Sequence, residues 1–153
     1  MLGGMRFAEH KRARFDYELL EEYEAGIELS GHEVKAVRAG RAQLDGAHII
    51  VRGAEAYLVG ATIAPYQPAN APTAYDPTQA RRLLLSHEEI SELNRAGDQR
   101  GLTVVPIAMY SKGRNIKLSL AIARGKKQAD KRESIKKRDT KRDIERTLKT
   151  QAT

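Results

Sequence analysis

Residues 116–123 read IKLSLAIA and alternate: Ile116, Leu118, Leu120 and Ile122 fall on one face, Lys117 and Ser119 on the other. A period of two is the side-chain repeat of a strand, not of a helix. A strand with one apolar face must lie over a core, so the chain is committed to a sheet buried on one side and open on the other. Upstream, across the turn SKGRN, the stretch LTVVPIAMY (102–110) is β-rich but contains Pro106. Proline donates no ladder hydrogen bond, which demands an edge position or a bulge.

The rest of the chain supplies partners. In YELLEEYEAGIELSG (17–31), Tyr17, Leu19, Tyr23, Ala25, Ile27 and Leu29 partly alternate. That predicts a strand with a bulge or bend near Glu21-Glu22 and another at Gly26. AHIIVRGAEAYLVGATIAPY (47–66) reads as two strands around Gly53-Ala54, a hairpin. In HEVKAVRAG the period changes: Val34 and Val37 are three apart and Gly40 suits a C′ cap, predicting a short helix. A second helix follows Ser86, where Ser86 and Glu89 form an S-x-x-E capping box, Ile90 and Leu93 supply a stripe, and Gly97 ends it. Residues 6–16 are basic and irregular, and four of the five prolines fall from Pro65 to Pro77, a long loop. The total is about six strands and two short helices with no βαβ rhythm. The expected fold is mainly β: an antiparallel barrel-like sheet with peripheral helices.

The last sixth of the chain does not belong to that core. Residues 125–149 hold eleven of the 27 basic residues and five of the 20 acidic ones, a net of +6 out of a total of +7. On a helix Ile144 and Leu148 share a face, but Ile135 lies about half a turn off, so no stripe wide enough to bury a core exists. Glu133–Lys137 and Glu145–Lys149 favour a helix, whereas Arg138–Arg142 and Asp139–Asp143 oppose it. Such a segment is expected to be disordered alone and helical on an anionic partner.

Composition excludes several classes. The chain has no cysteine, so disulfides, thiolate nucleophiles and Cys-based zinc sites are out. There is no run of 18 apolar residues, and Met1 to Arg6 has no apolar segment after its charge, so neither a membrane span nor a secretory signal is expected. A cytoplasmic protein follows. Histidines 10, 32, 48 and 87 are dispersed, and Glu21-Glu22 and Glu88-Glu89 are sequence neighbours that point differently. No Walker A loop, G-x-G-x-x-G or H-E-x-x-H occurs, so no enzyme, metal, cofactor or small-molecule substrate is expected. The pI near 9.7 favours an anionic partner, nucleic acid or an anionic membrane. Membrane attachment by the tail needs an apolar stripe that Ile135, Ile144 and Leu148 do not form. Tyrosines 17, 23, 57, 66, 75 and 110 are spread along the sheet, where tyrosine is core or rim and also stacks bases.

Several stretches together resemble one family. ARFDYELLEEYEAGIELSGHEVKAVRAGRAQL, ARRLLLSHEEI, GLTVVPIAMY and LAIARGKKQADKRESIKKRD recur in the order and spacing of the SsrA-binding protein (small protein B, SmpB) family, across residues 9–149. The resemblance implies an antiparallel β-barrel related to oligonucleotide-binding folds over 9–124, a flexible segment at 1–8, and a tail at 125–153. It implies a monomer that binds the tRNA-like domain of transfer-messenger RNA and enters ribosomes stalled without a codon. The tail would become helical in the empty mRNA channel and stand in for codon–anticodon pairing.

Carried over by position, Tyr17 in DY and Glu24 in YEAG match RNA-binding residues of the family. Tyr17 could stack a base or ribose; a carboxylate such as Glu24 can accept from a base amino group or orient a neighbouring cation. Glu33, Lys35 and Arg38 match the EVK--R helix beside the RNA, with Lys35 and Arg38 as phosphate contacts. Arg124, Lys126 and Lys127 match a basic hinge, and Asp130, Lys131 and Arg132 a decoding-centre element. His10 stands where many members have Asn, Phe15 where many have His, and Ala129 where an aromatic or His is common. Leu148, beside Thr147, is the one apolar candidate near the end. The competing reading is a basic structural protein of the ribosome or nucleoid, whose tail only neutralises phosphates.

Overall fold

β9 (Asn115–Gly125) is the strand announced by the alternating stretch, and it runs between two neighbours of equal length, β8 (Leu102–Lys112) and β2 (Tyr17–Ile27). Its inward set is buried, with Leu118 and Leu120 fully inaccessible. Each such leucine contributes about 1.5–3 kcal/mol by leaving water. The computed structural model describes residues 5–67 and 74–126. The segment 127–153, and with it Lys127, Ala129, Asp130, Lys131, Arg132 and Leu148, lies outside the described residues, as does part of the proline-rich loop.

Seven strands form one antiparallel sheet in the order β1-β8-β9-β2-β7-β5-β4, with β1 at Arg6–Glu9, β4 at His48–Arg52, β5 at Glu55–Val59 and β7 at Arg81–Leu84. β3 (Ala42–Gln43) and β6 (Thr62–Ile63) pair separately. The sheet curls so that β4 also lies against β8. Inside it, Tyr23, Ala25, Leu44, Leu58, Ile63, Leu83, Met109 and the inner face of β9 make the core.

The β4–β5 hairpin turns at Gly53-Ala54 as expected. The expected helix after Ser30 is α2 (Gly31–Arg38), closed by Gly40 at φ +80°, a left-handed position that suits glycine. α3 (His87–Gly97) begins with the Ser86–Glu89 capping box. The segment 6–16, read as irregular, contains a strand and a one-turn helix, α1 (Ala13–Asp16). β1 is too short to signal itself; it forms because the free edge of β8 accepts it and Phe7 and Ala8 pack on the core. β7 was likewise hidden at the head of the Ser86 helix signal, where Arg81 and Leu83 point inward and Arg82 and Leu84 outward.

The bulge alternative for Pro106 holds, since the β8–β9 ladder slips between Pro106 and Ala108; β1 pairs only with Ala108 to Tyr110, so at Pro106 itself the strand is paired on the β9 side alone. In β2 the bulge falls at Leu20, one residue before the expected place. No second slip occurs at Gly26. That glycine instead admits β7, since a Cβ there would meet the Leu84 side chain at 3.2 Å.

Candidate nucleic-acid interface

Tyr17 and Glu24 are seven residues apart, and an odd separation puts two side chains on opposite faces of an unbroken strand. The bulge reverses this. Tyr17 opposes Gly125, Leu19 opposes Ala123, Glu22 opposes Ala121 and Glu24 opposes Ser119. Directly opposed residues of an antiparallel pair share a face, and these β9 partners all lie on its outer side. With Leu20 left out of the ladder, Tyr17 and Glu24 both face outward, while Tyr23, Ala25 and Ile27 point into the core. The slip at Ile107 does the same for β8, aligning Ala108, Tyr110 and Lys112 with Ser119, Lys117 and Asn115.

On this outer face the carboxylate of Glu24 is not free. It accepts from the Tyr110 hydroxyl and, at 2.9 Å, from the Lys112 ammonium. Donation by Tyr110, then by Lys112, holds its carboxyl below the usual range. Burial and the bond to Glu24 push the Tyr110 phenol up, so it remains a donor. Around this node lies an open groove of about 680 Å³, lined by Arg6, Arg14, Glu22, Tyr110, Lys112 and Ser119 among others. That volume falls in the range of clefts that take a nucleotide-sized group. At its far end Leu19 packs on Ile107, Ala108 and Ala121, an apolar shelf beside Tyr17.

Arg38 and Lys35 are exposed on α2. Arg38 donates to the Arg114 carbonyl at 2.9 Å and lies 5.9 Å from the Phe7 ring centre, which ties α2 to the basic tip of the β8–β9 hairpin. Arg124, also exposed, is 3.5 Å from Glu18. Lys126 is fastened to α1: its N–H donates to the Asp16 carbonyl at 2.9 Å and its ammonium to that of Arg14 at 3.1 Å. His10 donates through Nδ1 to the Pro106 carbonyl at 3.1 Å, and Arg12 covers the Phe15 ring at 4.7 Å. Both departures are thereby occupied within the protein.

Glu33 stands apart from the other expected contacts, because it is 3 % exposed. Its carboxylate accepts from Arg81 at 2.8 and 3.0 Å, from Gln79 at 3.2 Å, and from the Ser30 N–H that closes the α2 capping box. Burial pushes the carboxyl up, but donation by Ser30, Arg81 and Gln79 outweighs it and leaves it below the usual range. Arg81, 2 % exposed, spends its remaining donors on the carbonyls of Ala61 and Pro77. Such a carboxylate holds α2 in place and presents nothing outward. The sequence carried a signal for this, since Ser30-Gly31-His32-Glu33 is itself an S-x-x-E box. Tyr110, Lys112, Arg6 and Arg14 were not singled out as contacts; the alternation through 108, 110 and 112 would have marked the first two once the bulge was known.

Among the described residues no group of His, Asp and Glu is arranged to hold a metal, and no helix is long and apolar enough to cross a membrane.

The profile of the SmpB protein family matches residues 7–150. An SsrA-binding protein of Chloroflexus aggregans is 50 % identical over 142 residues, covering 93 % of this chain and 90 % of its own. Those of Gloeobacter violaceus and Cupriavidus taiwanensis are 49 % and 47 % identical, covering 92 % and 95 % of this chain and 92 % and 97 % of theirs. A solved structure described as "tmRNA-SmpB: a journey to the center of the bacterial ribosome" superposes with a TM-score of 0.66 at 41 % identity, over 83 % of this chain and 92 % of that one. With matches of this length and identity, the chain belongs to the SmpB family of SsrA-binding proteins.

Proposed function

We propose that the protein binds transfer-messenger RNA and acts with it on stalled ribosomes in trans-translation. The observation that carries the reading is the outer face of β2, β9 and β8, where two bulges bring Tyr17 and Glu24 onto one surface edged by Arg6, Arg14 and Lys112. Tyr17 offers a ring for stacking. Glu24 orients Tyr110 and Lys112, so the groups that meet RNA there include a hydroxyl and an ammonium as well as the carboxylate. Lys35 and Arg38 contact phosphate from α2, and Glu33 contributes by holding that helix.

Arg124, Lys126 and Lys127 form the hinge from which residues 125–153 extend. In the ribosome-bound protein Asp130, Lys131 and Arg132 reach the decoding centre, Leu148 supplies an apolar contact, and the tail lies in the empty mRNA channel in place of a codon–anticodon pair. Family membership supports this assignment. The protein binds and positions; it makes or breaks no bond, needs no cofactor and works as a cytoplasmic monomer.

The test is competition at about 0.2 M salt, where phosphate neutralisation alone is weakened. The transfer-messenger RNA should bind well above an unrelated folded RNA of similar length. Equal affinities would leave a general basic phosphate binder instead.

A further inference from the structure

Two bulges shape the outer face, and they are held differently. The one in β2 lies inside the β2–β9 ladder, with pairs before and after it. It pushes Leu20 to the opposite side of the sheet, beside α3, into a groove of about 390 Å³ floored by Tyr23, Leu102 and Ile122. The bulge in β8 lies where β1 stops. The last β1 pair is Glu9 with Ala108, so no β1 residue serves that edge at Ile107 or Pro106.

His10 serves both. Its N–H donates to the Ile107 carbonyl at 2.8 Å, and its ring Nδ1 to the Pro106 carbonyl at 3.1 Å. A regular strand turns consecutive carbonyls to opposite edges, so two in a row that meet one residue belong to the bulge itself. A carbonyl only accepts, hence Nδ1 carries a proton. His10 also opens the next element, since its own carbonyl accepts from the N–H of the buried Ala13, at the start of α1, at 3.0 Å.

On either side of His10 stand the cations of the groove around Glu24, Tyr110 and Lys112. Arg6 reaches that groove from β1, opposite Tyr110, and Arg14 from α1, 3.3 Å from Glu22. One edge of the groove therefore hangs from β1 and α1, and between them His10 is held by its N–H, its ring and its carbonyl.

We infer that His10 is a positioning residue for the RNA face. It clamps the β8 bulge to the start of α1 and so keeps Arg6 and Arg14 across from the Glu24–Tyr110–Lys112 node. In this role it touches no RNA. What the position needs is an N–H donor on the atom next to Cγ, which an asparagine amide supplies as an imidazole does. The bearing on RNA rests on the reading of the outer face proposed above; the clamp itself does not.

The test uses the whole chain. At about pH 8.5, where histidine is neutral, long-range correlation of the ring nitrogens with the ring C–H protons should place the His10 proton on Nδ1. A proton on Nε2 overturns the clamp. His10→Leu removes the donor, and His10→Asn restores it. Amide hydrogen exchange at position 10 and at Ala13 should quicken about fivefold or more in His10→Leu, the worth of one hydrogen bond, and stay near wild type in His10→Asn. No change in the leucine variant, or equal change in both, overturns the inference. Binding of transfer-messenger RNA should follow the same order, with Tyr17→Ala as the reference for the face. If Tyr17→Ala weakens binding and His10→Leu does not, the positioning role is overturned. If neither does, the RNA reading of this face fails and takes the positioning role with it, a result told apart from failure of the clamp by the tautomer and the exchange.

Discussion

Two carboxylates of one sequence neighbourhood, Glu24 on β2 and Glu33 on α2, have opposite fates. Both match family motifs, both are held by a cation, and both have carboxyls below the usual range. Glu24 sits on an exposed face with its side chain 38 % accessible, and its cation, Lys112, is 66 % accessible. Glu33 and Arg81 are at 4 % and 1 %. A hydrated pair is cheap to rearrange and is available to a ligand. A buried pair is fixed by the cost of leaving either partner alone. The difference separates a surface open to a ligand, proposed above to be RNA, from a joint that holds the elements behind it.

The sharpest way to break this contrast is Arg81→Ala. Stranding the Glu33 carboxylate should destabilise the fold by about 3–5 kcal/mol, read as a lowered denaturant midpoint. A loss below about 1 kcal/mol would mean the joint is no more than a surface pair.

Tyr17→Ala should weaken transfer-messenger RNA binding by about 1–3 kcal/mol, roughly five- to 150-fold, with little change in unfolding. An unchanged dissociation constant would remove Tyr17 from the interface.

Lys112→Ala comes next. If this ammonium meets phosphate, the slope of log K against log salt should fall by about 1, and Glu24→Gln, which loosens its position, should move binding in the same direction. Equal slopes for wild type and Lys112→Ala would assign the pair to structure alone.

The smallest effect is in acid. Glu33 is depressed in the folded protein, so its stabilisation is full above the unfolded carboxyl value of about 4.3 and is lost as pH falls through the lower folded value. Glu33→Gln should therefore flatten the decline of stability below about pH 4; an unchanged acid slope would show that other carboxylates govern it.

What could be read from the residues followed the strength of local signals. β9 announces itself because it alternates without interruption, and α3 because its cap and stripe lie together. β1 has four residues, too few for a period, and exists only because β8 offers an edge. The bulge in β2 falls one residue before the expected place, but either place lies between Tyr17 and Tyr23, so the facing is the same: the extra residue sends the two tyrosines to opposite sides. Glu33 was carried over with Lys35 and Arg38 from the match to the EVK--R helix; what turns it inward is Arg81, 48 residues away, and no local pattern encodes such a partner.

Leu20 carries a consequence for how this surface could change over time. This residue, skipped within the β2–β9 ladder, both swings Tyr17 to the side of Glu24 and thrusts a leucine out over α3. Deleting it would not trim a loop; it would turn every side chain from Tyr17 to Leu19 through the sheet and flatten the opposite groove in the same event. The two surfaces therefore share a single point of failure. A lineage can vary the side chain at position 20 freely, but it cannot lose the position without refitting both sides at once.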